Sequence, residues 1–107
     1  MASYYKNAKV DLTSTDVTTL YTAPAATTAV FKSILVADDS GSTSTITLTL
    51  TDSASAVFII FSVKATGASA TVELLTQPLV VQESEILKVT AANANRLHVV
   101  GSFLEIT

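Results

Sequence analysis

The 107-residue chain has no cysteine, no tryptophan, one histidine, three glycines and two prolines. Each scarcity closes a class of chemistry. Without cysteine there is no disulfide framework, thiolate zinc site or cysteine nucleophile. The glycines form neither a G-x-G-x-x-G pattern nor a P-loop, so no phosphate cradle is expected. Aromatic residues make up 7% of the chain, so a platform for stacking sugar rings is reduced to Tyr4, Tyr5 and Tyr21. Charge is scarce too: Asp, Glu, Lys and Arg total 14%, against about 25% in ordinary domains. Six basic and nine acidic residues leave a net charge of −3. The lysines stand singly at Lys6, Lys9, Lys32, Lys64 and Lys88, and without a basic patch no nucleic-acid partner is expected. The longest apolar run, Ala56 to Phe61, is far short of the ~18 residues that read as a membrane span, so no membrane partner is expected either. The opening "MASYYKNAKVDLT" lacks a basic start followed by an apolar run and does not read as a secretory signal.

What remains is a chain that is 49% hydrophobic, its missing charge replaced by Thr, Ser and Ala. Such a surface is weakly charged and easily dehydrated, and suits a protein packed against others. The segment "STITLTLTDS" (44–53) alternates Ile46, Leu48 and Leu50 with threonines, the period of a half-buried strand. Similar segments recur along the chain: "NAKVDLTS", "DVTTLYTA", "TAVFKSILVAD", "AVFIIFSVKA", "TVELLT", "PLVVQ", "ILKVTAA" and "RLHVVGSFLEIT". Turn residues punctuate them, most clearly in "DDSGSTS", where Asp and Gly supply backbone caps and a positive φ. The expected fold is all-β: an antiparallel two-sheet β-sandwich, jelly-roll-like, of about eight to nine strands. It forms one domain over residues 1–107, with residues 1–6 as an extended N-terminal arm. The segment 45–52 is expected to pair back on 28–38 as a hairpin.

Simple alternation assigns the faces. In the 44–53 strand the Ile and Leu residues face the core, each contributing roughly 1.5–3 kcal/mol on burial. In "AVFIIFSVK" one parity holds Val57, Ile59, Phe61 and Val63. The other holds Phe58, Ile60, Ser62 and Lys64 and, ending polar, reads as the outward face. In "AVFKSILVA" both parities carry large apolar groups. Two strands apolar on both sides imply a second burial surface supplied by a neighbouring subunit. The expected contact residues are Val30, Ile34, Phe58 and Ile60, with Tyr4 and Tyr5 on the arm. Tyrosine is enriched at interfaces because it joins a large apolar area to a polar tip. A homo-oligomer follows, with a trimer as the expected form.

The residues form no pattern of a catalytic, cofactor-binding or metal site. His98 lies within a strand, and no G-x-S-x-G elbow accompanies it. Asp38 and Asp39 sit in a turn, and Glu83 and Glu85 flank Ser84 in a tight connection. Neither pair has the facing arrangement across a cleft that glycoside hydrolysis needs. "DDSGS" lacks the ligand spacing and closing Glu of a calcium loop. No enzyme activity and no cofactor are expected.

Elements at Leu20 to Ala25, Ala29 to Ala37, Asp39 to Ser42, Thr45 to Thr51, Pro78 to Val81, Ser84 to Val89 and Leu104 to Ile106 share a pattern. They read L-Y-T-x-P-A, an apolar strand, a turn like D-x-S-G-S, a strand like T-V-T-V, a P-L-V-L-like strand, a turn-and-strand like G-D-x-L-K-V, and an ending L-E-I. In this pattern the chain resembles small virion structural proteins of tailed bacteriophages, of the marine and cyanobacterial type. Where that group often has Gly-Asp, this chain has Ser84-Glu85. The resemblance implies a role in the virion, assembled in the host cytoplasm, whether in capsid decoration, as a head fibre, or in the neck or tail; the first expectation is a capsid decoration or cement protein in contact with the major capsid protein or other virion proteins. Neck, tail or fibre components of the same particle are the alternative, and a surface glycan-binding module is a further one.

Overall fold

The computed structural model describes residues 2–107, the side chains of Val63 and Lys64 excepted. Nine strands are described: β1 (Ser3–Leu12), β2 (Thr18–Thr22), β3 (Thr28–Asp38), β4 (Ser44–Thr51), β5 (Val57–Thr66), β6 (Thr71–Glu73), β7 (Leu79–Val81), β8 (Ile86–Ala91) and β9 (Leu97–Ile106). They form two antiparallel sheets, one ordered β1-β9-β3-β6 with β7 also on β3, the other β2-β8-β4-β5. All consecutive strands change sheet except β4–β5 and β6–β7. This is the winding of an eight-stranded jelly roll in which one edge strand is broken in two. β6 pairs with Leu35–Ala37 and β7 with Ala29–Phe31.

Two expectations are corrected. The segments 28–38 and 45–52 do not form a hairpin, because β3 and β4 belong to different sheets. Asp38 Oδ1 accepts the amide N–H and the hydroxyl of Ser40 at 2.9 and 3.0 Å, and the chain turns across the gap between the sheets. Ile46 and Leu48 thereby lie in the same core as Ile34 and Val36, where a hairpin would set the strands side by side. The expected arm is also ladder: Ser3 to Lys6 pair with Ile106 to Phe103. Ala2 and Thr107 exchange backbone hydrogen bonds of 3.2 and 2.8 Å beyond them. This stretch is poor in inward apolar groups, and backbone pairing fixes it. Met1 lies outside the described residues.

The core explains why β3 is apolar on both parities. Phe31 pairs with Phe103, but Ser33 pairs with Ser102, leaving Lys32 as an extra residue. Such a bulge reverses the parity of everything beyond it. Ala29 and Phe31 point inward before it, and Ile34 and Val36 after it. Phe31 stacks on Phe103 at 4.6 Å between centroids. Tyr21 from the other sheet meets both rings, at 5.2 and 4.6 Å. Room for Phe31 comes from Gly101, where a Cβ would stand 2.8 Å from Phe31 Cε2. Gly101→Ala is therefore expected to destabilise the fold by about 1–3 kcal/mol through overpacking. Urea denaturation of the variant against wild type checks this.

Candidate interaction surfaces

The expected contact residues fall in three places. Ile34 is fully buried, 0% exposed, so it faces its own core and not a neighbour; the Lys32 bulge is the reason. Ile60 is also corrected, being partly buried and packed against the core. Thr49 pairs with Ile59 and Leu48 with Phe61, so Ile60 is an extra residue in β5. Both Ile60 and Phe61 reach the interior as a result. Phe58 is exposed, and so are Tyr4 and Tyr5. Val30 is half-buried. The side chains of Val63 and Lys64, assigned to opposite faces by alternation, lie outside the described residues.

The first surface is the start of β5. Asp52 Oδ1 accepts the amide N–H groups of Ala54 and Ala56, both at 2.9 Å. Ser55 takes a left-handed φ of 68°. This tight link delivers Val57, Phe58 and Ile59 onto a strand that is the edge of its sheet. They are 60%, 54% and 63% exposed. Phe58 pairs with Leu50 and lies on the inward side. Even so, more than half of it remains exposed. Simple alternation assigns Val57 and Ile59 to the core, and the structure places them in solvent.

The second surface is the outer face of the β1-β9-β3 sheet. Pairing sets side chains in rungs across it. One rung runs Tyr5, Leu104, Val30, Val80. The next is Asn7, Ser102, Ser33, two residues along β1 and β9 but three along bulged β3, and the one after runs Lys9, Val100, Leu35, Glu73. Tyr5 and Val30 thus share a rung, separated by Leu104. Leu35, Val80 and Val100 are exposed; Leu35 escapes a reading by alternation, since parity counted from Phe31 does not survive the bulge. Lys32 Nζ lies 5.6 Å from the centre of the Tyr5 ring. Glu73 Oε2 accepts the amide N–H groups of Ile34 and Leu75, at 2.8 and 3.3 Å. That fixes its carboxylate in the break between β6 and β7.

Polar clusters occur at two further points. His98 Nε2 lies 3.3 Å from both Asp11 Oδ1 and Asp39 Oδ2. All three side chains are exposed, beside a shallow cleft of about 300 Å³ bordered by Lys9 and Val100. Exposed pairs of this kind contribute little, about 0–1 kcal/mol. Among the described residues no group of three or more His, Asp or Glu side chains is arranged to hold a metal ion. Inside, Glu105 is buried. It accepts hydrogen bonds from Lys6 Nζ at 2.8 Å and from the Tyr21 hydroxyl at 2.6 Å. The Lys6 bond, then the Tyr21 bond, hold its carboxyl below the ordinary glutamate range against the opposing effect of burial. The Tyr21 hydroxyl is pushed up, by burial first and then by the bond to and the charge of Glu105.

No protein family matches the chain, and neither a curated protein nor a solved structure does.

Because the folded state holds Glu105 below its unfolded value, its contribution to stability is complete above the unfolded value, about 4.3 for glutamate. It is lost as pH falls through the lower folded value. Stability measured by urea denaturation is expected to decline from pH 5 downward. Glu105→Gln should lower stability at pH 7 and flatten that decline. An unchanged slope would remove Glu105 as a source of it.

Proposed function

We propose that this chain is a non-enzymatic structural protein of a tailed-bacteriophage virion, a capsid decoration or cement protein that packs as an oligomer on the shell. The observation that carries the reading is the run Val57, Phe58, Ile59: three consecutive large apolar side chains, each more than half exposed on a free strand edge. Covering the exposed part of each would be worth roughly 1–2 kcal/mol, and the free edge also presents unpaired backbone groups. A cement protein works by this means. It adds buried area between shell subunits and needs no reactive group. The jelly-roll winding and the low charge fit that task. The resemblance to small phage virion proteins supports it too. Ser84, where that group often carries Gly, takes a left-handed φ of 66°, the conformation that glycine favours.

The reading is tested by cryo-electron microscopy of the particle whose genome encodes the chain. Sandwich-shaped density on the shell, in hundreds of copies, is the expected result. Density confined to the tail or neck would replace decoration with the tail assignment. Phe58→Asp is expected to change folding stability by no more than about 0.5 kcal/mol, as exposed positions do, while shell occupancy is lost. A variant that decorates particles normally would remove the β5 edge as the contact.

A further inference from the structure

We propose that the outer face of the β1-β9-β3 sheet is a two-fold interface, and that its occupant is a second copy of this chain. The inference stands apart from the role in the virion and uses the opposite sheet from β5. It rests on the order of residues across the face.

The rung Lys9, Val100, Leu35, Glu73 begins with a cation at one edge and ends with an anion at the other. Between them are two exposed apolar side chains. A two-fold axis lying between two such faces, parallel to the strands, reverses the order of each rung. Lys9 then lies over the second copy's Glu73, and Val100 over its Leu35. The same operation sets Tyr5 over Val80 and Leu104 over Val30. Polar Asn7 and Ser102 meet the rung that carries Ser33 and the bulged Lys32. Apolar groups meet apolar groups along the Tyr5 and Lys9 rungs, and the remaining rung, Asp11, His98, Ala37, Thr71, sets Asp11 over the second copy's Thr71 and His98 over its Ala37; each ion pair occurs twice, as in an isologous interface. A two-fold axis across the strands would instead lay Glu73 over the Val80 end of the other rung. The charge order therefore selects the first arrangement.

Size agrees. Three strands of ten or eleven residues, with β6 and β7 end to end as a fourth row, about 4.8 Å apart and ~3.4 Å per residue, give a plan area of roughly 650 Å². A stable interface buries about 800 Å² of accessible surface per partner, and a side-chain-covered face exposes more than its plan area. Glu73 is suited to the role: its Oε2 is held by the Ile34 and Leu75 amides, so little side-chain freedom remains to be lost on pairing.

Sedimentation equilibrium of the purified chain is the test. A dimer, or an even-numbered assembly, is expected; a monomer throughout the micromolar range, or a trimer, would overturn the inference. Leu35→Asp is expected to separate the copies with its thermal melt retained. Persistence of the dimer in that variant would count against this face. Lys9→Glu is expected to weaken association at least about tenfold, since like charges then oppose each other twice. Adding Glu73→Gln, which keeps an acceptor for the Ile34 amide, should recover part of that loss. No recovery in the double variant would break the proposed Lys9–Glu73 pairing. None of these results depends on whether the protein is found on a capsid, so failure of one reading leaves the other standing.

Discussion

One extra residue in β3 governs both the packing of the core and the make-up of the outer face. Lys32 has no partner in the ladder with β9. Because of it, Phe31 and Ile34 both point into the sandwich despite their odd spacing. Phe31 can then lie over Gly101, stack on Phe103 and meet Tyr21 from the facing sheet. Tyr21 in turn reaches Glu105, and Lys6 reaches Glu105 from the neighbouring strand. Ile34 also lies opposite the break between β6 and β7, and there Glu73 receives its amide N–H. The interior clamp and the composition of the outer face are thus two results of the same backbone irregularity.

β5 repeats the device at the other sheet. Its ladder with β4 slips twice, between Ile46 and Leu48 and between Leu48 and Thr49. Ile60 and Phe61 both turn inward, and the run before them is left outside. Bulges sharpen twist and interrupt an edge. Only the first residues of this edge therefore offer a regular strand to another chain. Exposed apolar groups occur on both sheets, but in different forms: a short greasy edge on one, a broad banded face on the other.

Much of the architecture is legible from alternation and turn chemistry. Thr28 to Asp38 stands out as a strand because its ends are marked by Pro24 upstream and Asp-Ser-Gly downstream, and the nine-strand sandwich follows from such signals. Which strand joins which sheet is not legible, as the misassigned hairpin of β3 and β4 shows. Alternation cannot distinguish a neighbour beside a strand from one across the core. Ile34 and Ile60 mark a second limit. Period-two reasoning assumes an unbroken pleat, and a bulge at Lys32 or Ile60 leaves no trace in side-chain type. The apparent surplus of apolar residues in β3 is in part this change of parity, though Leu35, Val80 and Phe58 remain exposed. The Lys6–Glu105 contact joins residues 99 positions apart, and no local pattern could announce it.

The paired ends of the molecule have a topological consequence. Ala2 and Thr107 are hydrogen-bonded to each other in both directions, so the path of the chain is nearly a closed ring. Anything attached ahead of β1 and anything attached after β9 leave from the same corner. The sandwich can accordingly be inserted as a unit into a loop of a host protein, or be reopened at an exposed loop with its ends joined, with little disturbance to either sheet.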